Sequence, residues 1–170
     1  LQGAERIVSL LREEVLQQEN ALVTVGTFKL QHDSINTIPG EVFFTIDMRH
    51  PDPAVLSGLD QNLRNLVEKV CREEKLEPEI NLIWEAPTVT FDQECVGNVR
   101  NAAKSLGYSC QEIVSGAGHD ACQMSHVVPT GMIFIPCKDG VSHNEIESAE
   151  PEHITSGANV LLHAMLKSAN

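Results

Sequence analysis

"TGMIFIP", residues 130–136, is an almost wholly apolar run, the pattern of a strand buried on both faces of a parallel sheet. Its surroundings supply the helices such a sheet needs. Upstream, Asp92 is placed to cap a helix running to Leu106, with Gly107 as its stop. "YSCQEIV" (108–114) then reads as a short strand, and "SGAG" as a loop opening a helix near Ala117–His126. Downstream, a loop (137–149) leads to a helix from about Pro151, on which Ile154, Ala158, Leu161, Leu162 and Met165 are expected to face inward. Helices alternating with a buried strand predict an α/β fold for residues 88–170.

Before Pro87 the pattern differs. Residues 4–17 read as a helix with Ile7, Leu10, Leu11 and Val15 on one stripe. "ALVTVGTFKL" (21–30) is rich in β-branched residues and reads as a strand, and "HDSINTIPGE" supplies turn formers. "EVFFTIDMR" (41–49) alternates, with Val42, Phe44, Ile46 and Met48 on one face and Phe43, Thr45, Asp47 and Arg49 on the other. Leu56, Leu59, Leu63, Leu66 and Val70 then recur at helical spacing, and "EINLIWEA" (79–86) reads as a third strand. Residues 1–87 are thus expected to form an α+β unit, followed by the α/β stretch 88–170.

Bulk properties exclude several classes. The 170 residues carry 24 acidic against 12 basic side chains, a net charge of −12, which repels nucleic acid phosphates and anionic membranes as partners. No apolar run is long enough to span a bilayer, and "LQGAERIVSLLREEVLQ" is amphipathic and charged, unlike a secretory signal. Five cysteines at irregular spacing, with no CxxC pair, point to reduced thiols in a cytoplasmic protein. The chain begins at Leu1, which fits a processed product, a domain or a piece of something longer.

Candidate functional residues cluster where ligands gather in open parallel sheets, beyond the carboxyl ends of strands. "SGAGHDA" has glycines that let backbone approach a ligand, and helix-opening N–H groups that suit an anion. His119 in it reads as a catalytic or oxyanion-stabilising group, or as a helix cap. "CKDGVSHNE" carries His143 among Ser142, Asn144, Glu145 and Glu147; imidazole beside carboxylates suits a divalent metal. One histidine is no metal site, however, so His143 reads either as a ligand or as a surface loop residue. His126 reads as packing. Arg49, at a strand end, either grips a carboxylate through its fork or is simply solvated.

Three ordered stretches, "TVGTFKLQHDSINTIPGEVFFTIDMRHPD", "SGAGHDA" and "PTGMIFIPCKDGVSHNEIE", resemble the hydantoinase/carbamoylase branch of the co-catalytic zinc exopeptidases. That branch includes N-carbamoyl-L-amino acid amidohydrolases, β-ureidopropionases, and allantoate and ureidoglycolate amidohydrolases. The resemblance implies that residues 1–87 are most of a lid or dimerisation domain lacking its first strand. Residues 88–170 would then be the closing stretch of an α/β zinc-binding catalytic domain. It also implies that His143 is the last ligand of a dinuclear site (Zn, Mn, Ni or Co), and that Gly118 and His119 line the substrate pocket. Asn36 and Arg49 would reach the substrate from the lid, Arg49 holding its carboxylate, commonly across a homodimer interface.

By the same resemblance, the other ligands, the bridging carboxylate and the glutamate base lie upstream of Leu1. The chemistry needs them: two metals about 3.5 Å apart activate a water, and a glutamate moves its proton to the leaving nitrogen. The complete protein is expected to hydrolyse the carbamoyl C–N bond of an N-carbamoyl-L-amino acid or a related ureido compound, and this stretch alone to be inactive. With a central lid strand missing, the isolated chain is expected to associate through bare strand edges. A non-catalytic dimerisation module, with Arg49 as surface charge, is the reading from another class.

Overall fold

The computed structural model describes residues 1–32 and 34–169. Asp33, one of the turn formers of the expected loop, lies outside the described residues. The chain divides into two compact units, Leu1–Thr88 and Val89–Asn170.

In the first unit the order is α1 (Gln2–Val15), β1 (Leu22–Gln31), β2 (Glu41–Arg49) and α2 (Pro53–Glu74). Asp52 starts α2 by accepting the Ala54 N–H at 2.8 Å, with Pro53 in the first turn where its missing N–H costs nothing. Lys75 ends it in the left-handed conformation, and the Leu76 N–H closes on the Cys71 carbonyl at 2.8 Å. Ile7, Leu11 and Val15 of α1 meet Leu59, Leu63, Val67 and Val70 of α2, and Val23, Phe44, Ile46 and Met48 of the hairpin pack against that cluster. Leu11 and Val70 are fully buried, each contributing about 1.5–3 kcal/mol of transfer free energy.

β1 and β2 pair antiparallel, with a bulge between Val25 and Thr27. Gly26 is the extra residue, and it resets the alternation of β1. Val23 and Val25 lie opposite Met48 and Ile46, whereas beyond the bulge Phe28 and Leu30 lie opposite Phe44 and Val42. One insertion keeps both halves of β1 on the face that β2 commits to the core. The Phe28 and Phe44 rings stack at 5.6 Å. His50 ties the ends together: its Nδ1 accepts the Asp52 N–H at 2.9 Å, and its Nε2–H donates to the Glu19 carbonyl at 3.0 Å.

The second unit holds α3 (Gln93–Ser105), α4 (Asp120–Met124) and α5 (Pro151–Ser168), with a 3₁₀ turn at Lys138–Gly140. Asp92 caps α3 by accepting the Glu94 and Cys95 N–H groups, and Gly107 follows the helix with φ of 76°. Ala102 and Ala103 of α3 meet Val160 and Ala164 of α5, with Val99, Leu106, Tyr108 and Ile133 at the margin.

Three expected strands are corrected. Residues 79–86, 108–114 and 130–136 join no ladder, and among the described residues the one sheet is the β1–β2 pair. Apolar composition makes a strand only where a neighbour accepts its backbone hydrogen bonds. These runs have none among the described residues, so Trp84 is 74% exposed, and Phe134, in the run expected to be buried on both faces, is 44% exposed. Two further readings change. The helix after "SGAG" is five residues long and leaves His126 in an exposed turn, not packed within a helix. On α5, Val160 and Ala164 face inward, whereas Ile154, Ala158, Leu161, Leu162 and Met165 are exposed. The inward face is the one that meets Ala102 and Ala103, because the side chains of α3 decide which stripe of α5 it covers. No helix among the described residues is long and apolar enough to cross a membrane.

Two glycines give opposite expectations. A Cβ at Gly97, inside α3, meets nothing within 4 Å, whereas one at Gly157, inside α5, falls 2.6 Å from Ile135 Cγ2. Gly97→Ala is therefore expected to stabilise by about 0.5–1 kcal/mol through backbone entropy. Gly157→Ala should instead destabilise by about 1 kcal/mol, since overpacking outweighs the helix gain. Urea midpoints of the two variants check the sign.

Candidate functional site

Arg49 closes β2 and shares a face with Asp47, two residues back. Its Nε donates to Asp47 Oδ1 at 2.7 Å and its Nη2 to Oδ2 at 2.9 Å, so the two planar groups lie fork to fork. These bonds hold the Asp47 carboxyl below its usual value; burial partly offsets them and the charge of Arg49 adds to them. The same pairing raises the Arg49 guanidinium further. Asp47 is the partner that attention to Arg49 alone missed, although the two-residue spacing on a strand was the signal.

Asn36 sits in the exposed loop between β1 and β2, its Oδ1 accepting from the Ser34 hydroxyl at 2.9 Å. The ladder runs from Gln31 opposite Glu41, at the loop end, to Leu22 opposite Arg49. At about 3.3 Å per residue, roughly 26 Å of strand separates the two ends. The fold does not bring Asn36 and Arg49 of one chain together.

In the second unit, His119 precedes α4 with extended backbone (φ −136°, ψ 150°) and no side-chain cap bond. The capping reading of this histidine therefore fails. Its Nε2 lies 2.7 Å from the Ser115 hydroxyl, which also accepts the Ala117 N–H at 3.2 Å. The ring meets Phe134 edge to face, centroids 5.4 Å apart. Gly118 is exposed, and a Cβ there would meet nothing within 4 Å. α4, which His119 precedes, is only five residues long.

His143 takes a left-handed backbone, φ 57°, in a loop where Asp139 and Gly140 are also left-handed. Such a conformation is uncommon outside glycine and is kept where the surroundings enforce it. Here Glu147 Oε2 accepts the His143 N–H at 2.7 Å, while Glu147 Oε1 takes the Cys137 thiol at 3.8 Å. Lys138 N–H to the Ser148 carbonyl, 2.7 Å, closes the loop at its base. The imidazole Nδ1 lies 3.0 Å from the Ser142 hydroxyl, and Nε2 makes no hydrogen bond with a described residue. A ring oriented through one nitrogen and open at the other is how a metal-ligating histidine is presented. Among the described residues, no three His, Cys, Asp or Glu side chains converge to complete a metal set. Glu147 thus acts on His143 through the backbone.

Residues 3–167 match the model of the peptidase family M20/M25/M40. The chain belongs to that family, whose amidohydrolase members are generally metal-dependent. It is 41% identical over 165 residues to an N-carbamoyl-L-amino-acid amidohydrolase of Rhizobium meliloti, covering 96% of this chain and 40% of the relative. It is 32% identical to an allantoate amidohydrolase of Bacillus subtilis, covering 99% and 41%. Among solved structures, a hydantoinase/carbamoylase-family amidase from Burkholderia multivorans superposes with a TM-score of 0.92 at 49% identity, over 97% of this chain and 40% of that one. The chain therefore spans about two-fifths of the length of the relatives it matches, and the mixed helix and sheet fold is that of this family.

The pairing of Asp47 has a pH signature. Its folded pKa is depressed, so the stabilisation is fully present above the unfolded value and is lost as pH falls through the folded one. Both side chains are nearly half exposed, which limits the effect to at most about 1 kcal/mol. NMR titration should place the Asp47 midpoint below that of a peptide aspartate, and Arg49→Ala should return it to the ordinary range. An unchanged midpoint in the variant would break the assigned pair.

Proposed function

We propose that this M20/M25/M40 chain is the C-terminal part of a metal-dependent amidohydrolase that cleaves the carbamoyl C–N bond of N-carbamoyl-L-amino acids. Residues 1–87 are most of its lid and dimerisation domain, and 88–170 the closing segment of its α/β metal-binding domain. The observation that carries this reading is similarity along almost the whole chain to proteins named for hydrolysing carbamoyl and ureido C–N bonds. The partnerless run 79–86 supports the lid assignment. In a βαββαβ sheet the last strand pairs with the first, which would lie before α1.

The resemblance supplies the roles, and the local geometry supports them. His143 would hold one of two divalent ions, its ring steadied by Ser142 and its backbone by Glu147. Bound metal supplies a Lewis acid to the scissile carbonyl and a nucleophile at neutral pH. The further ligands and the proton-transferring glutamate come from outside these residues, so the stretch alone is inactive. His119, beside Gly118, donates a hydrogen bond to charge developing on the ureido oxygen. Arg49 binds the substrate carboxylate, with Asp47 steadying the guanidinium plane. A small substrate that meets both Asn36 and Arg49 takes them from two chains, since one hairpin holds them at opposite ends; this favours a homodimer through the lid. Unpaired cysteines fit a cytoplasmic setting. Allantoate or ureidoglycolate is the alternative substrate, and parallel assays with each compound and an N-carbamoyl amino acid decide the class. Hydrolysis of none would return the chain to a non-catalytic dimerisation module.

In the complete protein, Arg49→Lys keeps the charge and loses the fork, so kcat/KM should fall by the equivalent of about 1.5–3 kcal/mol. An unchanged value removes Arg49 from the site. His143→Ala should lose at least one metal equivalent by elemental analysis, together with most of the activity. Full metal content and rate in that variant would make His143 a surface residue.

A further inference from the structure

We propose that Ser115 is a positioning residue that sets the tautomer of His119, leaving Nδ1–H as the donor this ring presents to an acceptor oxygen. A neutral imidazole has one donor and one acceptor nitrogen, and the partner of one fixes the role of the other. Ser115 Oγ already receives the Ala117 N–H at 3.2 Å, and its remaining partner among the described residues is His119 Nε2 at 2.7 Å. Were Nε2 protonated, the hydroxyl oxygen would accept from two N–H donors and its own proton would turn to solvent. Donation to Nε2 instead uses both the donor and the acceptor capacity of the hydroxyl within the loop, and in this arrangement the ring proton resides on Nδ1.

Phe134 lies against the same ring, its plane at 65° to the imidazole with centroids 5.4 Å apart, a contact that favours this ring orientation. Nδ1 makes no hydrogen bond with a described residue, and His119 does not spend its side chain on capping α4. The SGAGH loop is thus a device that holds one ring plane and one proton. The ligand chemistry it suits is an oxygen acceptor, a carbonyl or carboxylate, and not a second N–H donor. The consequence for turnover rests on the amidohydrolase reading; the tautomer does not.

The test is long-range ¹⁵N–¹H correlation NMR on the histidine-labelled complete protein, with the imidazoles neutral. Wild type should show a protonated Nδ1 and an unprotonated Nε2 at His119. Ser115→Ala should shift the ring toward the Nε2–H form, and Ser115→Thr should keep the wild-type pattern. Turnover of an N-carbamoyl amino acid should fall roughly tenfold in kcat in Ser115→Ala, with KM within about twofold and recovery in Ser115→Thr. A protonated Nε2 in wild type overturns the proposal with no variant needed, as does an unshifted tautomer in a folded Ser115→Ala protein. A protein that turns over no carbamoyl or ureido substrate defeats the functional reading, while the spectrum still decides whether Ser115 sets the ring proton.

Discussion

A β-strand needs a second strand to take its amide and carbonyl groups, and that constraint sorts the whole chain. β1 and β2 pair along their shared edge. The hairpin so formed commits one face to the cluster that the stripes of α1 and α2 make with each other. The runs 79–86, 108–114 and 130–136 have the composition of strands and no such partner among the described residues, and large apolar side chains such as Trp84, Val114 and Phe134 stand exposed. The resulting inequality between the units is physical. One has a sheet-backed core of leucines and valines, and the other a small core of three alanines and a valine between two helices.

The histidine loops inherit this situation. Each follows one of the unpaired runs, so no sheet edge fixes the loop from below. Their geometry is instead set by short-range bonds: Ser115 and Phe134 on His119, Glu147 and Ser142 on His143. Both rings therefore keep a defined direction without a complete site around them. Pre-orientation of this kind lowers the cost of ordering when the remaining groups arrive.

What could be read from the sequence follows the range of the interactions. The stripes of α1 and α2, the Asp92 cap and the alternation of β2 are local, and periodicity and capping chemistry found them. The unpaired runs were misread because pairing is non-local, and nothing in "TGMIFIP" says whether a neighbour exists. The inward face of α5 was misread because the side chains of α3 decide it; opposite Ala102 and Ala103, the small residues of α5 fit and the leucines do not. At the site, residue types and loop positions were legible, whereas the fork between Asp47 and Arg49, the Ser115 contact and the left-handed backbone of His143 depend on geometry. The resemblance to a known family supplied roles that spacing left open.

The bulge at Gly26 makes the hairpin sensitive to length more than to composition. Strand parity is a count, and β1 spends one extra residue to put its second half in phase with its first. Exchanging one β-branched residue for another on this strand leaves the count intact. Deleting one residue away from the bulge, such as Thr24 or Lys29, does not, because either the bulge closes and part of one half turns its apolar side chains outward, or the ladder slips against β2. The first unit should therefore absorb many point changes along β1 but a one-residue deletion only at Gly26, where the ladder closes with every other pair unchanged.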